Sequence, residues 1–355
     1  MVDSDEAADK GLEEPIEEED GDGEGEHDDE DVFDSFGPYY LDNVNWNDEG
    51  HQKAIYASLV NGAYILQRDN KRHRNGENAL APRWWEFFDF KLLEKLYDED
   101  DKSIFGAVYV VGPRCVIAFR GTMKGRELFQ DIKLDLAIFT NKLNRKSRFK
   151  IAMKVVEEKV VEFGQGNVIL VGHSLGAALG ILVGKQMVIQ KGIFLKAFLF
   201  NPPHTTAIML LSENKFRRLK KVIRRTVTLF NIIGSIVVLP GEEDDEMFKK
   251  LSVWKPNLCV NKQDLICSEY QSYFSDMKKI WGRKAEMAHI AARVSAIHFW
   301  RKILRKKSDI PLHLLPSAKL TVINQAKGAL DAHKLQQWWK PDLQFDSQEF
   351  SIYDH

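Results

Sequence analysis

Residues 172–176 read Gly172, His173, Ser174, Leu175 and Gly176, and they could do acyl chemistry. The apolar, β-branched run 168–171 comes before them, and a stretch rich in alanine and leucine follows. That order describes a strand, a sharp turn carrying a serine, and a helix. The pentapeptide alone is a weak signal; the strand before it and the helix after it make it specific. A side chain at Gly172 or Gly176 would collide with the neighbouring strand or helix, so the tight turn needs glycine there. Such a turn lifts the Ser174 hydroxyl above the sheet edge. It also leaves the Leu175 backbone N–H at the positive end of a helix, facing a developing oxyanion.

A serine hydroxyl is a poor nucleophile unless a base sits beside it and an acid orients that base. In a strand–turn–helix serine site these follow in the order serine, acid, histidine. His204 follows Ser174 but precedes every candidate acid, and His355 is the terminal residue. His289 and His298 fall in a basic helical stretch, 285–306. His313 and His333 remain. A base at the carboxyl end of a sheet comes from a loop after a strand, which favours His333 over His313. Asp264, just after a short strand at 258–260, is the favoured acid. Asp244 and Asp245 sit in an acidic run, and Asp276 and Asp309 have no strand before them. The second oxyanion donor is assigned to Thr122, in the turn Arg120, Gly121, Thr122 after a strand at 115–119. This chemistry needs no metal or organic cofactor.

The elements that must position these groups can be read from periodicity. Residues 48–69 read as a helix, with Ile55, Leu59, Tyr64 and Leu66 among its apolar positions. The cluster Trp84, Trp85, Phe87, Phe88 running on to Leu92, Leu93 and Leu96 reads as a packed helical segment. Residues 103–111 and 115–119 read as strands joined by a turn at Gly112 and Pro113. Helices are expected at 127–136 and 148–163, strands at 197–200 and 258–260, and a last strand at 320–323. Strands alternating with helices predict an α/β fold with a mostly parallel central sheet flanked by helices.

The 355 residues include 44% hydrophobic residues, enough for a substantial core. Residues 1–34 hold 18 of the 52 acidic residues and only Lys10 of the 50 bases, so the remainder is net positive. Residues 1–35 are therefore expected to be a disordered acidic tail, 36–345 the folded domain with a helical insertion at 204–256, and 346–355 a C-terminal tail. In the insertion, Phe216, Leu219, Val222 and Ile223 share one helical face, and Lys and Arg crowd the rest. Such a helix is a candidate for peripheral contact with an anionic membrane surface. The three cysteines, Cys115, Cys259 and Cys267, lack metal spacing and fit a reducing compartment. With no secretory apolar region and no span-length apolar run, a cytoplasmic location is expected. Nothing points to nucleic-acid recognition.

Several blocks together resemble the class 3 lipases, the fungal triacylglycerol-lipase type of α/β-hydrolase, and within them a plant lipase-like branch. They are VIAFRGT at 116–122, VILVGHSLGAALG at 168–180, FLFNPP at 198–203, LCVNKQDLICSEY at 258–270, HLLPSAKL at 313–320 and AHKLQQWW at 332–339. Asp131 and Asp135, in the helix expected after the first block, belong to the same pattern. The resemblance runs from about Trp46 to Trp339. It implies an α/β-hydrolase fold, with Ser174 as nucleophile, Asp264 as acid, His333 as base, and Thr122 and Leu175 at the oxyanion. Plant members are often labelled GDSL esterase/lipases, but this chain has no Gly-Asp-Ser-Leu block. The activity implied is hydrolysis of a lipid-type acyl ester through an acyl-enzyme. The alternatives are a catalytically silent lipase-like interaction module and an acyltransferase. The region after VIAFRGT, where the class usually carries an apolar lid, is short and charged here: Met123, Lys124, Gly125, Arg126, Glu127.

Overall fold

Strand alternation sorts the central side chains of this protein between two apolar layers. In the computed structural model, which describes residues 28–123, 147–204, 249–281, 315–326 and 328–351, eight strands form one sheet. They are β1 (Lys91–Tyr97), β2 (Ile104–Val111), β3 (Arg114–Phe119), β4 (Val168–His173), β5 (Lys196–Phe200), β6 (Asn257–Asn261), β7 (Ser317–Ile323) and β8 (Asp346–Ser351), lying in that spatial order. β3 to β7 pair in parallel, while β1, β2 and β8 are antiparallel to their neighbours. Parallel strands laid down in chain order, joined by right-handed crossovers, send every connecting helix to one face. Helices α2 (Ser147–Phe163), α3 (Leu175–Gln186) and α4 (Glu269–Trp281) fill that role. Their Val156, Ala177 and Phe274 share a core with Ile117, Leu170 and Leu199.

The opposite face needs another cover. Helix α1 (Glu49–Lys71) supplies most of it, together with Trp84, Trp85, Trp338 and Trp339, against Val116, Val171 and Phe198. α1 begins where the Asp48 side chain accepts from the His51 N–H at 2.9 Å, an N-cap that satisfies one of its open donors. Both layers are thus closed, and the mostly parallel sheet flanked by helices is an α/β-hydrolase fold.

Several expectations are corrected. The stretch through Leu92, Leu93 and Leu96 is strand β1, and only Arg83–Glu86 before it is helical. Three leucines at that spacing mimic a helix face, but β1 is an edge strand with register shifts between Leu92 and Glu94 and between Leu96 and Tyr97. Ordered structure begins before Phe36: Asp28–Asp31 and Phe33–Phe36 are short helices. The acidic composition hid this because Asp31 is buried between Arg68 at 2.6 Å and Arg74 at 2.9 Å, and Phe33 packs edge-on to Trp84. At the other end, residues 346–351 are strand β8 rather than tail, so 320–323 is not the last strand. Of the expected insertion, residues 249–256 pack into the body; Trp254 Nε1 donates to Leu195 O at 2.7 Å. Residues 205–248, with the basic run, lie outside the described residues. So do the expected helices at 127–136, with Asp131 and Asp135, and 285–306, and also His289, His298 and His313. No described helix is long and apolar enough to cross a membrane.

Candidate active site

The serine turn is built by close approach. Ser174 has φ 53° and ψ −123°, a strained backbone for a residue with a side chain. A Cβ on Gly172 would lie 2.5 Å from Gly176 O, and one on Gly176 would lie 2.1 Å from Phe119 O. Neither position has room for any side chain, so the end of β4, the start of α3 and the end of β3 are pressed together. The Ser174 N–H is anchored on Phe200 O at 3.0 Å. Leu175, the next residue, opens α3, where helix N–H groups lack intrahelical partners.

Three of the residues named from sequence meet here. His333 Nε2 is 3.0 Å from Ser174 Oγ, and His333 Nδ1 is 2.8 Å from Asp264 Oδ2. All three are buried. Asp264 stands just beyond β6, and His333 ends a 3₁₀ turn, Asp331–His333, between β7 and β8. Thr122 follows Gly121 beyond β3. A Cβ on Gly121 would lie 3.0 Å from Ser174 Cβ, so the arm carrying Thr122 runs directly alongside the serine.

Asp264 is buried but well supplied with donors. Besides His333, it accepts from Asn201 Nδ2 at 2.7 Å, Cys267 Sγ at 3.0 Å and the Ile266 N–H at 2.9 Å. Burial by itself would raise its pKa. The charge and hydrogen bond of His333, with the bonds from Cys267 and Asn201, outweigh that and hold the carboxyl below its ordinary value. An ionised Asp264 then fixes the His333 proton on Nδ1 and leaves Nε2 as the acceptor for the Ser174 hydroxyl.

The chain is 34% identical over 357 residues to the GDSL esterase/lipase At4g10955 of Arabidopsis thaliana, an alignment covering 90% of this chain and 97% of that one. It belongs to that plant esterase/lipase family. No family model matches. Among solved structures it is similar to a lipase from Rhizopus microsporus var. chinensis, at 14% identity and TM-score 0.37, covering 61% of this chain and 68% of that one. It is also similar to lipase II from Rhizopus niveus, at 13% identity and TM-score 0.40, covering 81% and 84%.

In this member of the esterase/lipase family the serine stands in Gly-His-Ser-Leu-Gly. Around it lies a second ring of residues that sequence reasoning did not single out. Asn201, at the end of β5, donates to Asp264 and to Ala332 O, and accepts from Trp338 Nε1 at 2.7 Å. It therefore binds Asp264 and the turn bearing His333 to each other. Gln337 Nε2 donates to Ala332 O at 2.6 Å. Asn201 has φ 48°, a left-handed conformation that Asn tolerates better than most residues. The only local signal was FNPP itself, an Asn after a buried strand and before two prolines. Tyr64 reads from periodicity as an apolar helix position, yet its hydroxyl hydrogen-bonds His173 Nδ1 at 2.9 Å and accepts from the Gly121 N–H at 2.7 Å.

Among the described residues no cluster has the makings of a metal site. Cys115, Cys259 and Cys267 are free and buried, and burial pushes the thiol pKa of each upward, which disfavours the reactive thiolate.

Proposed function

We propose that this protein is a serine carboxylic-ester hydrolase acting on a lipid-type acyl ester. The observation that carries the reading is the unbroken pair of hydrogen bonds Ser174 Oγ–His333 Nε2 and His333 Nδ1–Asp264 Oδ2, set on a strained serine turn at the start of a helix. The printed name of the Arabidopsis relative, a GDSL esterase/lipase, points the same way.

In this reading Ser174 Oγ attacks the ester carbonyl carbon as its proton moves to His333 Nε2. The resulting oxyanion takes hydrogen bonds from the Leu175 and Thr122 N–H groups. One such donor is typically worth about 3 kcal/mol of barrier. The C–O bond to the alcohol then breaks, and the alcohol leaves with the proton from His333. Water attacks the acyl-serine, gives its proton to His333, and the acid departs as Ser174 regains that proton. Asp264 remains ionised and stabilises the imidazolium at each turn. Peripheral contact with an anionic membrane surface is part of the same proposal and is supported by the basic amphipathic sequence at 215–225.

The test is covalent labelling with a fluorophosphonate, run beside hydrolysis of p-nitrophenyl esters of graded chain length. Labelling and turnover in the wild type, both lost in Ser174→Ala, are expected. A folded wild type that takes no label and turns over no ester, with or without anionic vesicles, would overturn the reading.

A further inference from the structure

The site is assembled from three arms distant in sequence: the end of β3 with Gly121 and Thr122, the β4 turn with His173 and Ser174, and the 3₁₀ turn with His333. One chain of hydrogen bonds runs through all three. The Gly121 N–H lies 2.7 Å from Tyr64 Oη, Tyr64 Oη lies 2.9 Å from His173 Nδ1, and His173 Nε2 lies 2.8 Å from His333 O. With His173 neutral, elementary donor rules fix every direction in this chain. A carbonyl oxygen only accepts, so His173 must carry its proton on Nε2. A backbone N–H only donates, so Gly121 takes up a lone pair of Tyr64. The Tyr64 hydroxyl proton then goes to His173 Nδ1.

We propose that Tyr64, acting through His173, is a positioning residue that holds the oxyanion arm and the base-bearing turn in register about Ser174. The proposal deepens the serine-hydrolase reading and rests on it. Tyr64 belongs to α1, on the far side of the sheet from α3, and has no part in the serine turn itself. Its hydroxyl ends one residue from Thr122, and the relay ends on the backbone of His333. By taking the Gly121 N–H, Tyr64 commits that donor to the relay, leaving the Thr122 N–H as the donor of this arm for an oxyanion. The approach is close: a Cβ on Gly121 would lie 2.7 Å from Tyr64 Oη.

The relay also controls charge. The His173 and His333 rings are 5.0 Å apart, and His333 must become an imidazolium during turnover. A second imidazolium at that distance would oppose it. With Nε2–H donated and Nδ1 accepting from Tyr64, a second proton on His173 would have to displace the Tyr64 hydrogen bond. Burial and the neighbouring His333 push its pKa down to about 3, while burial pushes Tyr64 up to about 12, so the hydroxyl keeps the proton it donates.

Tyr64→Phe removes the oxygen and keeps the ring. The expected result is a folded protein with kcat on a p-nitrophenyl ester lowered about 10–100-fold and KM within about twofold, because misplaced reacting groups cost rate rather than binding. A second readout is 15N NMR of selectively labelled histidines, with His173→Gln assigning the signal. In the wild type, His173 is expected to show Nε2–H and an unprotonated Nδ1 that accepts a hydrogen bond. In Tyr64→Phe the Nδ1 resonance should move downfield. An unchanged kcat in folded Tyr64→Phe overturns the proposal. So does a wild-type His173 protonated on Nδ1, or an Nδ1 resonance indifferent to the hydroxyl. If the wild type neither labels nor turns over, the hydrolase reading fails, and with it the positioning role; the NMR result then reports on the hydrogen-bond relay alone.

Discussion

His333 Nε2 stands 3.0 Å from Ser174 Oγ across 159 residues of chain. Removing either partner abolishes the proton transfer between them. Ser174→Ala and His333→Ala are each expected to lower kcat by about 10⁴–10⁶-fold, the scale on which members of such a unit fail. His313→Ala is expected to stay within a few-fold of the wild type, since the ring beside Ser174 is His333. Steady-state kinetics on one ester decides this; a collapse in His313→Ala with full activity in His333→Ala would sink the assignment of the base.

In the proposed reaction Asp264 fixes the tautomer of the base. Asp264→Asn keeps size and polarity but presents an N–H where a carboxylate oxygen accepted, so kcat should fall about 10³–10⁴-fold with little change in melting temperature. Cys267→Ala removes one of several donors to the same carboxylate and should cost far less, about tenfold at most. An equal loss in the two variants would mean that packing, not acceptance from His333 Nδ1, is what the carboxylate contributes.

Gly176 is a packing position at the serine turn. Its missing Cβ would lie 2.1 Å from Phe119 O, a backbone atom that cannot swing aside. Gly176→Ala is expected to destabilise the protein by about 3 kcal/mol and to slow fluorophosphonate labelling, because the turn and the β3 arm must separate. Chemical denaturation measures the first effect. A melting curve matching the wild type would show that the turn relaxes at no cost.

Acid should weaken the fold well above the range where carboxylates titrate. Burial, with the neighbouring His333 in the case of His173, pushes His173 and His204 down to about 3. An unfolded chain takes up those protons near pH 6.5. Between about pH 6.5 and pH 3 the unfolded state therefore binds more protons than the native state, so stability falls as pH falls. The slope is about 1.4 kcal/mol per pH unit for each histidine, or about 2 kcal/mol each between pH 7.5 and 5.0. Asp264, held below its ordinary value, adds a further loss as its carboxylate is protonated at lower pH. Urea midpoints that do not change between pH 7.5 and 5.0 would contradict this.

What the sequence determined by itself is what short-range sterics and periodicity control. The serine turn is a local object: β-branched residues before it, glycines where no Cβ fits, and a helix after it. The parallel strands from β3 to β7 are largely buried and carry apolar runs, and chain order together with placement after a strand selected Asp264 and His333 as the candidates for acid and base. Tertiary structure decided the rest. β1 is an edge strand whose leucine spacing imitates a helix, and its partner β2, not its own pattern, makes it a strand. β8 is mostly polar and only partly buried, and pairing with β7 reveals it. Asp31 belongs to the folded body because Arg68 and Arg74 come to it from elsewhere in the chain. Tyr64, His173 and Asn201 gain their meaning from partners 109, 160 and 63 residues away. A hydrogen bond to a distant atom leaves no periodicity in the sequence, so these contacts became visible only once the two cores had closed on either face of the sheet.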